Sequence, residues 1–197
     1  MIRTLFLSLL LVAGLVVSAD VVEHTVGGRA SINDTLLFRG VQGNSELNRL
    51  LPKDLANCGW FDMVRSGVAN YIVSGSASGN TLRLDLLSGA GSRITTITTS
   101  GENPETVSKR AVDALLQYLY KIPGICCSKI LFVAQTAPFQ KEIYMCDYDG
   151  TNLVQLTRNG GLSLDPLWVP GGRSIVYSFV GRTYSTLIEQ ALNSKRN

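Results

Sequence analysis

The sequence predicts an α/β domain, a mixed sheet with packed helices, followed by a segment made of β-strands alone. Three observations carry this. Apolar residues recur every three or four positions in two windows, 44–59 and 103–124, as they do along one face of a helix. Leucines alternate with charged residues between 82 and 86, the pattern of a strand with one buried face. Beyond Cys127 the chain offers only short β runs, with no helical window between them.

In the first helical window Leu47, Leu50, Leu51 and Leu55 share a face, Asn44 can cap the start and Gly59 can end it. Pro52 lacks the N–H and clashes one turn back, which predicts a kink or two short helices. Residues 20–44 read as polar and glycine-dotted, with one short apolar run at Leu36 to Phe38. Downstream, Tyr71 to Ser74 form a β run and Ser76 to Asn80 are turn formers. Leu82, Leu84 and Leu86 then alternate with Arg83 and Asp85, and "RITTITT" supplies a third, β-branched strand. The second helix has Asn103 as N-cap, Pro104 in its first turn and Glu105 at the positive end of its dipole. Its apolar stripe is Val107, Ala111, Leu115, Tyr118 and Leu119, and Pro123-Gly124 stops it. Together these elements make an α/β domain over 20–127.

The remainder, 128–197, reads "KILFVAQ", "EIYMCDY", "NLVQLT", "DPLWV", "RSIVYSF" and "STLIEQAL", with Asp149-Gly150 as a hairpin turn. "RSIVYSF" echoes "KILFVAQ" about 45 residues later, and "TLIEQAL" echoes "EIYMCDY", a spacing that suits a four-stranded propeller blade. The segment is therefore expected to be an incomplete all-β propeller of one to two blades. An open blade exposes an unpaired edge and an apolar face. Residues 128–197 are expected to be less stable than the first domain unless they fold onto it or onto a partner.

The 197 residues are 45% apolar and 17% charged, and their net charge of +3 is scattered. No basic stripe is available for neutralising phosphates, which argues against nucleic-acid binding. The N-terminus, "MIRTLFLSLLLVAGLVVSAD", carries Arg3, an apolar run from Leu5 to Val17 and small residues at Ser18 and Ala19. This is the pattern of a signal peptide over 1–19, cleaved to leave Asp20 first. The run is short for a membrane anchor, the other reading. Export would place Cys58, Cys126, Cys127 and Cys146 in an oxidising compartment, with three possible pairings. Buried small hydrophobes are the expected role for most of them.

Chemistry-bearing patterns are sparse. The single histidine, His24, has no nucleophile near it in sequence, and "SGSASG" reads as a hairpin turn rather than a nucleophile elbow. Asp147 and Asp149 could form a carboxylate pair, but a solvated turn accounts for them more simply. No catalytic residue, metal ligand or cofactor site is expected.

"KILFVAQ…KEIYMCDYDGTNLVQLT" and "LDPLWVPGG" resemble the first propeller segment and the next blade's Ser-Pro-x-Trp-Ser-Pro-Asp-Gly of the TolB family, the periplasmic β-propeller proteins of the Tol-Pal system. Trp168, Pro170 and Gly171 or Gly172 match that motif, whereas its Asp is missing. Upstream, "DLANCGWF" is similar to the family's Asp-Leu-x-x-Ser-Gly-x-Phe helix end, with Cys58 where Ser is usual, and "YIVSGSASGNTLRLDLLSG" matches its central hairpin. The stretch between Phe61 and Tyr71 is shorter than the family's, and the whole chain reads as the front part of such a protein. The resemblance implies a non-enzymatic periplasmic scaffold supporting outer-membrane integrity, envelope constriction during cell division and protein import. It also implies a mobile mature N-terminus that docks on a TolA-like inner-membrane protein. That role falls on Asp20, Val21, Val22, Glu23, His24 and Thr25, whose Val21-Val22 pair would suit strand addition to a sheet edge. A Pal-like lipoprotein, the family's other partner, binds the propeller, and most of that surface is expected to lie outside this chain. The competing readings are an exported propeller-type binding module and part of a propeller-bearing serine peptidase.

Overall fold

The computed structural model describes residues 33–192. The first layer runs β1 (Asp34–Gln42), α1 (Ser45–Asn57), β2 (Phe61–Val64), β3 (Tyr71–Ser78), β4 (Thr81–Ser88), β5 (Arg93–Ser100) and α2 (Pro104–Tyr120). Its five strands lie in the order β2-β1-β3-β4-β5. Strand β1 is parallel to β2 and β3, while β3, β4 and β5 form an antiparallel meander, so the sheet is mixed as the sequence predicts.

Strand β1 extends well beyond the apolar run at Leu36 to Phe38 on which the sequence reading rested. A register shift between Phe38 and Gly40 breaks its alternation and conceals it. The irregularity is satisfied locally, since the Val41 N–H donates to Asn48 Oδ1 at 2.8 Å. Strand β2 was not expected at all. It is four residues long and buries only Phe61, too little for a sequence signal.

Asn44 caps α1, accepting from the Glu46 and Leu47 N–H groups at 3.0 Å each. The helix runs unbroken through Pro52, so two short helices are not what forms. Leu47, Leu51 and Leu55 are fully buried on its inner face. In α2, Asn103 Oδ1 accepts from the Thr106 N–H at 2.8 Å, and Pro104 opens the helix. Its stripe is Val107, Ala111, Val112, Leu115 and Leu116, while Tyr118 is 39% exposed and off the buried face. The helix ends at left-handed Lys121, before Pro123-Gly124 is reached. The central hairpin turns tightly at Gly79 and Asn80, because Ser76 to Ser78 stay in register with β4. Leu82, Leu84 and Leu86 are fully buried and join both helices in one core.

The second sheet holds β6 (Lys129–Ala137), β7 (Gln140–Asp147), β8 (Val154–Gln155), β9 (Leu162–Trp168), β10 (Ser174–Val180) and β11 (Ser185–Ala191). Their order is β11-β10-β9-β7-β6, with the two-residue β8 also on β7. The hairpins β6–β7 and β10–β11 start at the same offset, so the echo read in the sequence is a structural one. Pro166 fits within β9 because Asp165 has φ 51 and the ladder to β10 shifts register there. Ile143, Ile175, Tyr177 and Phe179 form a smaller second core.

Candidate functional site

The turn joining β7 to β8 lies where the sequence places it. The Gly150 N–H donates to the Asp147 carbonyl at 2.9 Å, and Gly150 takes φ 79. Its surroundings differ from expectation, because the two aspartate side chains of the turn are not solvated. Asp147 is only 5% exposed, and the Asp149 side chain only 3%. Burial follows from the turn being pressed against α1 and α2.

Two groups of contacts hold it there. Lys109, inside α2, pairs with Asp147 and with Glu105 at 2.9 Å, and lies 3.9 Å from Asp149. Lys53 of α1 pairs with Asp149 at 3.2 Å, and Lys129 pairs with Asp147. Asn152 donates to Glu105 at 3.0 Å and to Asp147 at 3.1 Å. Beside this ionic cluster, Tyr148 Oη donates to Asp54 Oδ1 at 3.1 Å, and the Ser108 hydroxyl donates to Asp54 Oδ2 at 2.5 Å. Between α1, α2 and the turn lies a cleft of about 250 Å³ lined by Arg49, Lys53, Glu105 and Asn152 among others.

The electrostatics explain what this cluster can do. Burial opposes the charge on Asp149, but hydrogen bonds from Thr151 and Lys53 outweigh it and hold the carboxyl down at about 2. Burial likewise opposes the charge on Asp147, and the Lys109 and Lys129 ammonium groups outweigh it to lower its pKa. Lys109 is desolvated too, yet Asp147 and Glu105 raise its pKa above the usual lysine range. Asp54 goes the other way: burial raises it despite the Ser108 and Tyr148 hydrogen bonds. Both turn aspartates are thus locked ionised and Lys109 locked protonated. Paired with one another across the turn and both helices, these charges act as a clamp.

All four cysteines are free, and Cys58, Cys126 and Cys146 are buried as the sequence suggests. Burial pushes the Cys58 and Cys126 thiols up, and burial with the neighbouring Asp113 pushes Cys127 up to about 11. Among the described residues no group of His, Cys, Asp and Glu is placed to hold a metal ion, and no helix is long and apolar enough to cross a membrane. The expected docking residues Asp20, Val21, Val22, Glu23, His24 and Thr25 lie outside the described residues, as does the expected signal peptide.

Sequence reasoning missed Asp54, Ser108, Lys109 and Tyr148. A usable signal existed for two of them. Asp54 continues the Leu47–Leu51 spacing and Lys109 falls beside Val112 and Leu116, so each puts a charge on an apolar stripe. Nothing local marks Tyr148, whose partner is 94 residues away.

No protein-family model matches the chain. A TolB of the Tol-Pal system from Desulfosudis oleivorans is 36% identical over 70 residues, covering 36% of this chain and 16% of that protein. Another, from Blochmanniella pennsylvanica, is 32% identical over 82 residues, covering 41% of this chain and 18% of that protein. The crystal structure of TolB from Acinetobacter baumannii superposes with a TM-score of 0.71 at 17% identity, covering 82% of this chain and 47% of that one. The matched stretches thus span less than a fifth of these two relatives and under half of the solved structure. The sequence matches and the shared fold make this a TolB-like protein.

Proposed function

We propose that the chain acts as a non-enzymatic scaffold of the Tol-Pal system, exported to the periplasm after cleavage behind Ala19. The observation that carries this reading is the TM-score of 0.71 over 82% of the chain to a TolB, joined to the local sequence matches. In this reading the meanders β6–β7–β8 and β9–β10–β11 belong to the first two blades of a propeller. The clamp fixes that β unit to the helical layer. The mature N-terminus, Asp20 to Thr25, docks on the C-terminal domain of a TolA-like inner-membrane protein by adding a strand to its sheet edge. Outer-membrane integrity, constriction at division and protein import are the processes such a scaffold would support.

The test is capture of the chain on an immobilised TolA C-terminal domain, with and without residues 20–28. The reading expects capture of the full chain and loss of capture on deletion. Equal capture of both, or capture of neither, contradicts it.

A further inference from the structure

The sheet of the first layer ends at β5, which pairs with β4 and with no other described strand. The loop beyond β5 fixes which way its backbone groups point. The Gly101 N–H donates to the Asn80 carbonyl at 3.2 Å, so residue 101 bonds toward β4. Alternation along an antiparallel ladder turns Thr95, Ile97 and Thr99 the same way. The N–H and C=O groups of Thr96, Thr98 and Ser100 therefore point outward. Arg110 Nη1 donates to the Ser100 carbonyl at 2.7 Å. Those of Thr96 and Thr98 remain as an open rim.

Exposed edges are normally blunted by a lysine, a proline or an inward-pointing charge. From Ile94 to Ser100 the strand reads Ile-Thr-Thr-Ile-Thr-Thr-Ser and has none of these. Its one irregularity, a register shift at Leu86 and Leu87 of β4, falls before Thr95. The sheet's other edge, β2, is only four residues long and carries Asp62. Only β5 is thus a long, uncharged template.

Charge and symmetry select the occupant. Arg93 opens β5 with its side chain 59% exposed, and Glu102, just past the strand's end, is exposed too. We propose that β5 pairs antiparallel with β5 of a second copy of the chain, about a two-fold axis at Ile97, joining the two sheets edge to edge. In that register Thr96 exchanges both backbone bonds with Thr98 of the second copy, and Thr98 does so with its Thr96. Every open group of the rim is then satisfied. Ile97, which packs against the core on the helix-covered face, meets its own equivalent, and Thr95 meets Thr99. Arg93 falls opposite Gly101 of the second copy, beside its Glu102. A parallel pairing would instead set Arg93 against Arg93. A two-fold interface requires a self-complementary surface, and this edge supplies one. The inference is independent of the docking assigned to the N-terminus.

An edge contact alone makes a weak dimer, so the full chain is followed by sedimentation velocity from about 1 to about 300 µM. The sedimentation coefficient is expected to rise with concentration toward that of a dimer. Thr98→Pro removes an outward N–H and spares the ladder to β4, because an edge strand tolerates proline there. It is expected to weaken association at least tenfold and to leave the unfolding midpoint unchanged. Arg93→Glu and Glu102→Arg each set like charges together across the axis and are expected to weaken association about threefold. Combining the two is expected to restore it, a rescue that reads the register directly. A monomer at every concentration overturns the proposal and leaves the edge to a strand of another protein. Association undiminished by Thr98→Pro, or a double charge variant no better than the single ones, overturns it as well.

Discussion

Tyr148 Oη donates a hydrogen bond to Asp54 Oδ1 at 3.1 Å, joining a turn of the β-only sheet to the inner face of α1 across 94 residues of sequence. Asp54 is 2% exposed and receives a second hydrogen bond from Ser108. Removing one donor leaves a buried carboxylate half satisfied, which costs more than the hydrogen bond alone. Tyr148→Phe is expected to destabilise the chain by about 1–2 kcal/mol in urea unfolding, and Ser108→Ala by a similar amount.

The ionic half of the clamp gives a second expectation. Lys109 is buried among Asp147, Glu105 and Asp149, so Lys109→Met strands negative charge in a desolvated place. Breaking a buried pair from one side costs about 3–5 kcal/mol, and replacing both partners costs much less. Urea titrations of Lys109→Met and of Lys109→Met with Asp147→Leu should show the double variant more stable than the single one.

Acid should loosen the clamp. Asp147 and Asp149 have folded pKa values below the ordinary 3.8, that of Asp149 about 2. Their stabilisation is therefore complete above the unfolded value and is lost as pH falls through the folded ones. Asp54, raised by burial, has the opposite sign: its contribution is largest below the unfolded value and is lost as pH rises through the folded one. Unfolding free energy measured between pH 5 and 2 should fall as the two turn aspartates protonate. Asp149→Asn should flatten that fall by roughly 1 kcal/mol after allowance for solvent screening.

Leucines that look alike in sequence should behave differently. Leu84 is fully buried under both helices and Leu187 is 70% exposed on the outer strand β11. Leu84→Ala is expected to cost about 2–5 kcal/mol. Leu187→Ala should stay within about 0.5 kcal/mol. Thermal and urea unfolding of the two variants check this directly.

The elements legible in the sequence were those with strong local signals. Asn44 and Asn103 marked both helix starts, and Leu82, Leu84 and Leu86 marked the buried face of β4. The strand content beyond Cys127 and the turn at Asp149-Gly150 were legible for the same reason. Strand β1 was obscured by its bulge at Phe38, and β2 by its brevity. The clamp was illegible as a unit because its charges are solvated in isolation and become buried only when the turn meets α1 and α2. A charge on an apolar stripe, as at Asp54 and Lys109, is the sequence mark of such a meeting.

The central claim is that the clamp makes the helical layer and the β-only sheet unfold as one. The chain has two tryptophans, Trp60 beside the first layer's Tyr120 and Trp168 in β9. Urea unfolding of the single-tryptophan variants Trp60→Phe and Trp168→Phe, followed by fluorescence and corrected for each variant's stability by circular dichroism, reports each layer separately. The account predicts coincident fluorescence and circular-dichroism transitions in both variants. A transition at Trp168 that runs to completion while Trp60 remains native would contradict it.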